Sequence, residues 1–170
     1  MPSDFAIGDV FISQPGKSVT DLPPGMKDLL QSSASITDQE ELVLFFYYRL
    51  TNKYRGQRLL TWLRLDRFLI TDLDTLWNIE GFLHCNHMNY IMRTLLVASG
   101  KFSSESIRSR WTQIWLLSPH QYLEISLSSG KILNVDMWGR SYGIPFGSYA
   151  HGISGGGSLL RALPEIQKAD

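Results

Sequence analysis

The sequence predicts an α+β fold in one domain, with helices first and an antiparallel sheet after them. Three observations predict it. Apolar residues recur at helical spacing over 37–54 and again over 85–99, where Met88, Ile91, Met92, Leu95, Leu96 and Val97 form a broad apolar face. Residues 121–127 alternate instead, as Tyr122, Leu123, Glu124, Ile125, Ser126, Leu127, and run into the turn sequence Ser128-Ser129-Gly130-Lys131. The length of 170 residues, 44 % hydrophobic and 19 % charged, suits one core rather than two.

The elements follow in order. Residues 1–36 read as an extended N-terminal arm. Gln14-Pro15-Gly16 and Asp21-Leu22-Pro23-Pro24-Gly25 are turn or extended signals, and Phe5, Ile7, Val10, Phe11 and Ile12 are its anchors. A short helix fits at Met26 to Leu30. The compact domain is then 37–170. Thr37 and Glu40 have the spacing of a capping box, opening a helix through Leu42, Phe45, Phe46 and Leu50 that stops near Gly56. Arg58 to Leu69 is a second helical or mixed segment. Thr75 to Gly81 is a loop or a short turn of helix. Cys85 opens the most apolar helix, and Gly100 stands where a C′ glycine belongs. Arg108 to Leu117 reads as a strand broken by Ser118-Pro119, and Ile132 to Trp138 as the return strand of a hairpin. A glycine-rich stretch and a short apolar helix at Ser158 to Ile166 close the chain.

Composition excludes several function classes. Sixteen basic residues balance sixteen acidic ones, so no nucleic-acid partner is expected. No uncharged apolar run approaches the ~18 residues of a membrane helix, so no membrane partner is expected either. A single cysteine rules out an internal disulfide and a zinc site built from several thiolates. The first residues lack a basic segment followed by a long apolar one, so no secretory signal is read. Together with one free thiol, this points to a cytoplasmic setting. Oligomeric state is not legible.

Cys85 begins a helix, where unpaired N–H groups and the helix dipole favour negative charge. A thiolate is stabilised there, and the same N–H groups can donate to an oxyanion formed beside the sulfur. His120 follows at a strand start, 35 residues on. With a turn near Ser129, positions 122 and 136 come opposite each other, which brings Asp136 within a residue or two of His120 across the ladder. A thiolate, an imidazole and a carboxylate that orients it make up a nucleophilic triad. Asn78 and the indole of Trp77 are candidates for a second oxyanion donor. The glycine- and aromatic-rich stretch 142–152 reads either as a rigid wrapping loop or as a cleft wall carrying Tyr149 and His151; His84 is a further candidate for lining the pocket.

Taken singly, Cys85 reads as a small buried hydrophobe, His120 as a strand-end histidine and Asp136 as a turn cap. The three together require two coincidences of spacing. His84-Cys85-Asn86-His87 could be a metal cluster only with ligands from elsewhere, such as His151, because adjacent side chains point apart; no metal and no cofactor is expected. Gly155-Gly156-Gly157-Ser158 lacks the lysine and preceding apolar strand of a phosphate loop and reads as a hinge.

The stretches Gly81-Phe82-Leu83-His84-Cys85, the helix to Gly100, Pro119-His120-Gln121-Tyr122-Leu123-Glu124 and Asn134-Val135-Asp136 resemble the transglutaminase-like superfamily of papain-type Cys-His-Asp enzymes. The resemblance covers about residues 77–139. Leu83 stands where that family usually has a glycine, and Met137 where it often has proline. The resemblance implies a papain-like core. It also implies acyl transfer at an amide or peptide bond of a protein or peptide substrate, by hydrolysis (protease, amidase or deamidase) or by cross-linking of the transglutaminase type. The rival expectation is a catalytically silent domain of the same fold that binds a peptide or protein.

Overall fold

The protein is described here by a computed structural model covering residues 21–114 and 118–152. It is a mixed α and β structure. The order is α1 (Pro24–Ser32), α2 (Gln39–Lys53), β1 (Tyr54–Arg55), α3 (Arg58–Leu63), α4 (Leu73–Asn78), β2 (Gly81–Phe82), α5 (Cys85–Ala98), β3 (Ile107–Ile114), β4 (Ser118–Ser126), β5 (Ile132–Val135) and α6 (Met137–Arg140). A 3₁₀ turn, Leu65–Leu69, joins α3 to α4.

Part of the expected extended arm is helical. Pro24 occupies the first turn of α1, where its missing N–H costs nothing, and Met26 is fully buried. The expected anchors Phe5, Ile7, Val10, Phe11 and Ile12 lie outside the described residues, as do the helix expected at 158–166 and the glycine run before it.

The cap of α2 is shifted by one residue from the expected box. Asp38 is the N-cap and accepts a hydrogen bond from the Glu41 N–H at 2.8 Å. A carboxylate caps at least as well as a threonine hydroxyl. Glu40 instead pairs with Lys131 at 2.7 Å, tying the start of α2 to the hairpin turn. Leu42, Val43, Phe46, Tyr47 and Leu50 form the buried stripe, and the helix ends at Lys53, three residues before Gly56.

α5 is the central helix. Met88, Ile91, Met92, Leu95 and Leu96 are buried, and the helix packs against both α2 and β4. Its C-terminus closes on Gly100, whose φ of +72° is the left-handed conformation that glycine adopts at little cost.

The sheet has the order β3-β4-β5 and is antiparallel throughout. Leu123 pairs with Val135, so the register expected from the turn is the one observed. The turn is closed by Gly130, at φ +84°, whose N–H donates to the Leu127 carbonyl at 2.9 Å. Two strand ends differ from expectation. Ser118 and Pro119 do not break a strand but start β4, with Pro119 opposite Gln113, and proline is tolerated at a strand's beginning. The return strand stops at Val135, because Asp136 turns its side chain to cap α6. A short parallel pair, β1 with β2, was not expected; it brings the chain from α2 to the residues just before Cys85. Among the described residues, no helix is long and apolar enough to cross a membrane.

Candidate active site

Cys85 is the first residue of α5. The approach to it is fixed by burial. Phe82, Leu83 and His84 are all buried, and the His84 ring reaches the Arg64 carbonyl through Nε2 at 2.9 Å. His84 also packs edge-on against Phe68, Phe82 and His87. It is the N-cap residue, but its side chain makes no capping hydrogen bond. The first-turn amides of α5 therefore have no side-chain cap to satisfy them. Cys85 itself keeps partial exposure.

His120, on β4, is 1 % exposed and Asp136 2 %. The His120 Nε2 lies 2.8 Å from the Asp136 Oδ2. The carboxylate is itself held from two sides. Its Oδ1 accepts from the Gly139 N–H at 2.7 Å, and its Oδ2 from the Ala150 N–H at 2.9 Å. With Nε2 committed to Asp136, Nδ1 is the ring nitrogen left for the sulfur. Cys85 and the imidazole line the same cavity. Burial alone would push the imidazolium pKa down. The Asp136 charge and hydrogen bond, reinforced by Cys85, outweigh that and raise it to about 10. The ring rests against Trp138, with centroids 5.2 Å apart. His120 and Asp136 are thus hydrogen-bonded, as the hairpin register predicts, and Cys85 shares a cavity with His120.

A cavity of about 320 Å³ opens beside the sulfur. Cys85 and His120 line it together with residues from α3, β3, β4 and α6, chiefly Leu59, Trp62, Ile114, Pro119 and Trp138.

The other site expectations are corrected. Neither Asn78 nor Trp77 lines this cavity. Asn78 is exposed, and its amide donates to the Asp74 carbonyl of its own helix at 2.9 Å. The Trp77 indole is turned towards α1, where a Cβ at Gly25 would collide with it, and is covered by Lys53 at 4.1 Å from its ring centre. His84 is a buried prop for the start of α5 rather than a wall of the cleft. Tyr149 stacks on Tyr122 with centroids 4.1 Å apart, which holds the backbone that brings the Ala150 N–H to Asp136. His151 is exposed and contacts the Tyr149 carbonyl at 3.1 Å. The stretch 142–152 is thus closer to the wrapping loop than to the cleft wall.

Sequence reasoning missed the α3 wall, because an apolar helix pattern normally marks core and these side chains face the cavity and solvent. It also missed Gly139. The signal was present: Asp136 followed three residues later by glycine is the spacing of an aspartate N-cap to its N–H donor.

Comparison of the chain with protein-family models, with curated proteins and with solved structures yields no match.

Proposed function

We propose that the protein is a cysteine-dependent acyl-transfer enzyme acting at an amide or peptide bond, built on a papain-like, transglutaminase-like core. The observation that carries the reading is the buried Asp136–His120 hydrogen bond beside a partly exposed Cys85 that lines the same cavity as His120. A buried base and orienter beside an open nucleophile is the arrangement this chemistry needs. The order of elements adds support: a helix begun by the nucleophile and packed on an antiparallel sheet that supplies the other two groups.

In this mechanism His120, its pKa raised to about 10, takes the proton of the Cys85 thiol and leaves a thiolate. The thiolate adds to the carbonyl carbon. The N–H groups at the start of α5, the Cys85 N–H first among them, receive the oxyanion. The C–N bond breaks as His120 gives its proton to the leaving amine, and a thioester remains on Cys85. Water or a second amine, deprotonated by His120, then takes the acyl group.

Cys85→Ala and Cys85→Ser tests this directly. Both variants keep the fold, and both lose all amide-cleaving and amine-incorporating activity. The assay is turnover of a peptide-amide panel alongside circular dichroism. Unchanged turnover in Cys85→Ala removes the cysteine-dependent reading, and absence of turnover in the unmodified protein leaves a peptide-binding domain.

A further inference from the structure

The cavity beside Cys85 is apolar over most of its wall, and part of that wall is in water. Leu59 and Trp62, both lining it, are 52 % and 59 % exposed. Leu63, Leu65 and Leu69 continue the apolar surface at 65 %, 55 % and 73 % exposure. No residue of α3 or of the 3₁₀ turn after it is buried. One exposed leucine is ordinary; five large apolar side chains within a stretch of eleven residues beside a cavity mark a binding surface. The wall is held in place at its base. The Gly56 N–H donates to the Ser141 Oγ at 2.9 Å and the Arg58 N–H to the Tyr142 hydroxyl at 2.8 Å, fixing the start of α3 against the end of α6. Among the described residues the lining contains no carboxylate, and Arg58, its charged member besides His120, lies over the Tyr142 ring at 4.7 Å.

In acyl transfer the acyl half stays bonded to sulfur as the thioester while the amine departs. Part of the space next to Cys85 therefore holds the acyl half throughout, and the apolar cavity supplies such space. We propose, resting on the acyl-transfer reading, that the donor is a peptide with a bulky aliphatic or aromatic side chain next to the reacting carbonyl, as after leucine or phenylalanine. Leu59 and Trp62 close over that side chain, and its burial removes their apolar surface from water.

Peptidyl chloromethyl ketones that differ only in the residue next to the electrophile test this, with labelling of Cys85 followed by intact mass. The phenylalanine and leucine reagents label about tenfold faster, or more, than those carrying glycine, glutamate or glutamine. Trp62→Ala and Leu59→Ala, both at exposed positions, bring the phenylalanine-to-glycine ratio towards one. Equal rates, a preference for glutamine, or a ratio unmoved in both variants overturns the proposal. Iodoacetamide, which has no side chain to place, separates the two failures in the unmodified protein. If it leaves Cys85 unalkylated, the acyl-transfer reading itself fails. If it alkylates Cys85 while the peptidyl reagents show no preference, only the apolar site fails.

Discussion

At His120 two effects oppose each other. Burial disfavours the charged ring, while the Asp136 carboxylate, 2.8 Å away, favours it, and the second prevails. The sign of the consequence follows from linkage. A histidine whose pKa is raised on folding stabilises the native state fully below the unfolded value of about 6.5, and that stability is lost as pH rises through about 10. Asp136→Asn removes the charge, so it flattens the loss of thermal stability between pH 6.5 and 10; melting curves across that range check this. The same variant slows turnover by about 10²–10⁴-fold through loss of ring orientation, with the fold retained. His87 has the opposite sign. Burial, with the His84 charge adding to it, pushes its pKa down to about 4. Its contribution is present above about pH 6.5 and declines as pH falls towards 4, so His87→Leu reduces acid destabilisation in that interval.

At the scale of the element, the short helix α6 is what fixes the Asp136 carboxylate against His120. Had the return strand run on to Trp138, the carboxylate would have had no N–H from Gly139 to accept. Gly139 is tightly placed, since a Cβ there would collide with the Asp136 carboxylate. Gly139→Ala therefore breaks the cap at a cost of about 1–2 kcal/mol and disturbs the His120 contact along with it. The expected result is a modest drop in melting temperature with a much larger drop in turnover. Equal, small effects on both would make α6 merely structural. Gly56 sets the other side of the site. A Cβ there would strike the Trp138 ring, which both backs His120 and lines the cavity.

For the molecule as a whole, stability rests on α5 and its neighbours rather than on surface pairs. Met92 is fully buried in the core, and Met92→Ala costs about 2–5 kcal/mol. The Glu40–Lys131 pair is 39 % and 53 % exposed, and Glu40→Ala costs less than about 1 kcal/mol. Chemical denaturation of the two variants separates these expectations. The same contrast orders the site. Cys85, His120 and Asp136 stand where the central helix and sheet meet, and the exposed α3 wall is not part of the core.

Periodicity and turn chemistry made α2, α5 and the β4–β5 hairpin legible in the sequence, because spacing along the chain sets which side chains share a face. The hairpin register followed from the position of the turn, and with it the proximity of His120 and Asp136. Asn78, Trp77, His84, Tyr149 and His151 were placed by nearness in sequence or by residue type, and tertiary packing turned each of them to another task. Which apolar side chains of 58–69 face solvent, and that Gly139 and Ala150 hold the carboxylate, depended on elements far apart in the chain meeting. Hydrophobic pattern records that a side chain prefers to leave water; only the packed chain decides whether a neighbour covers it or a ligand must.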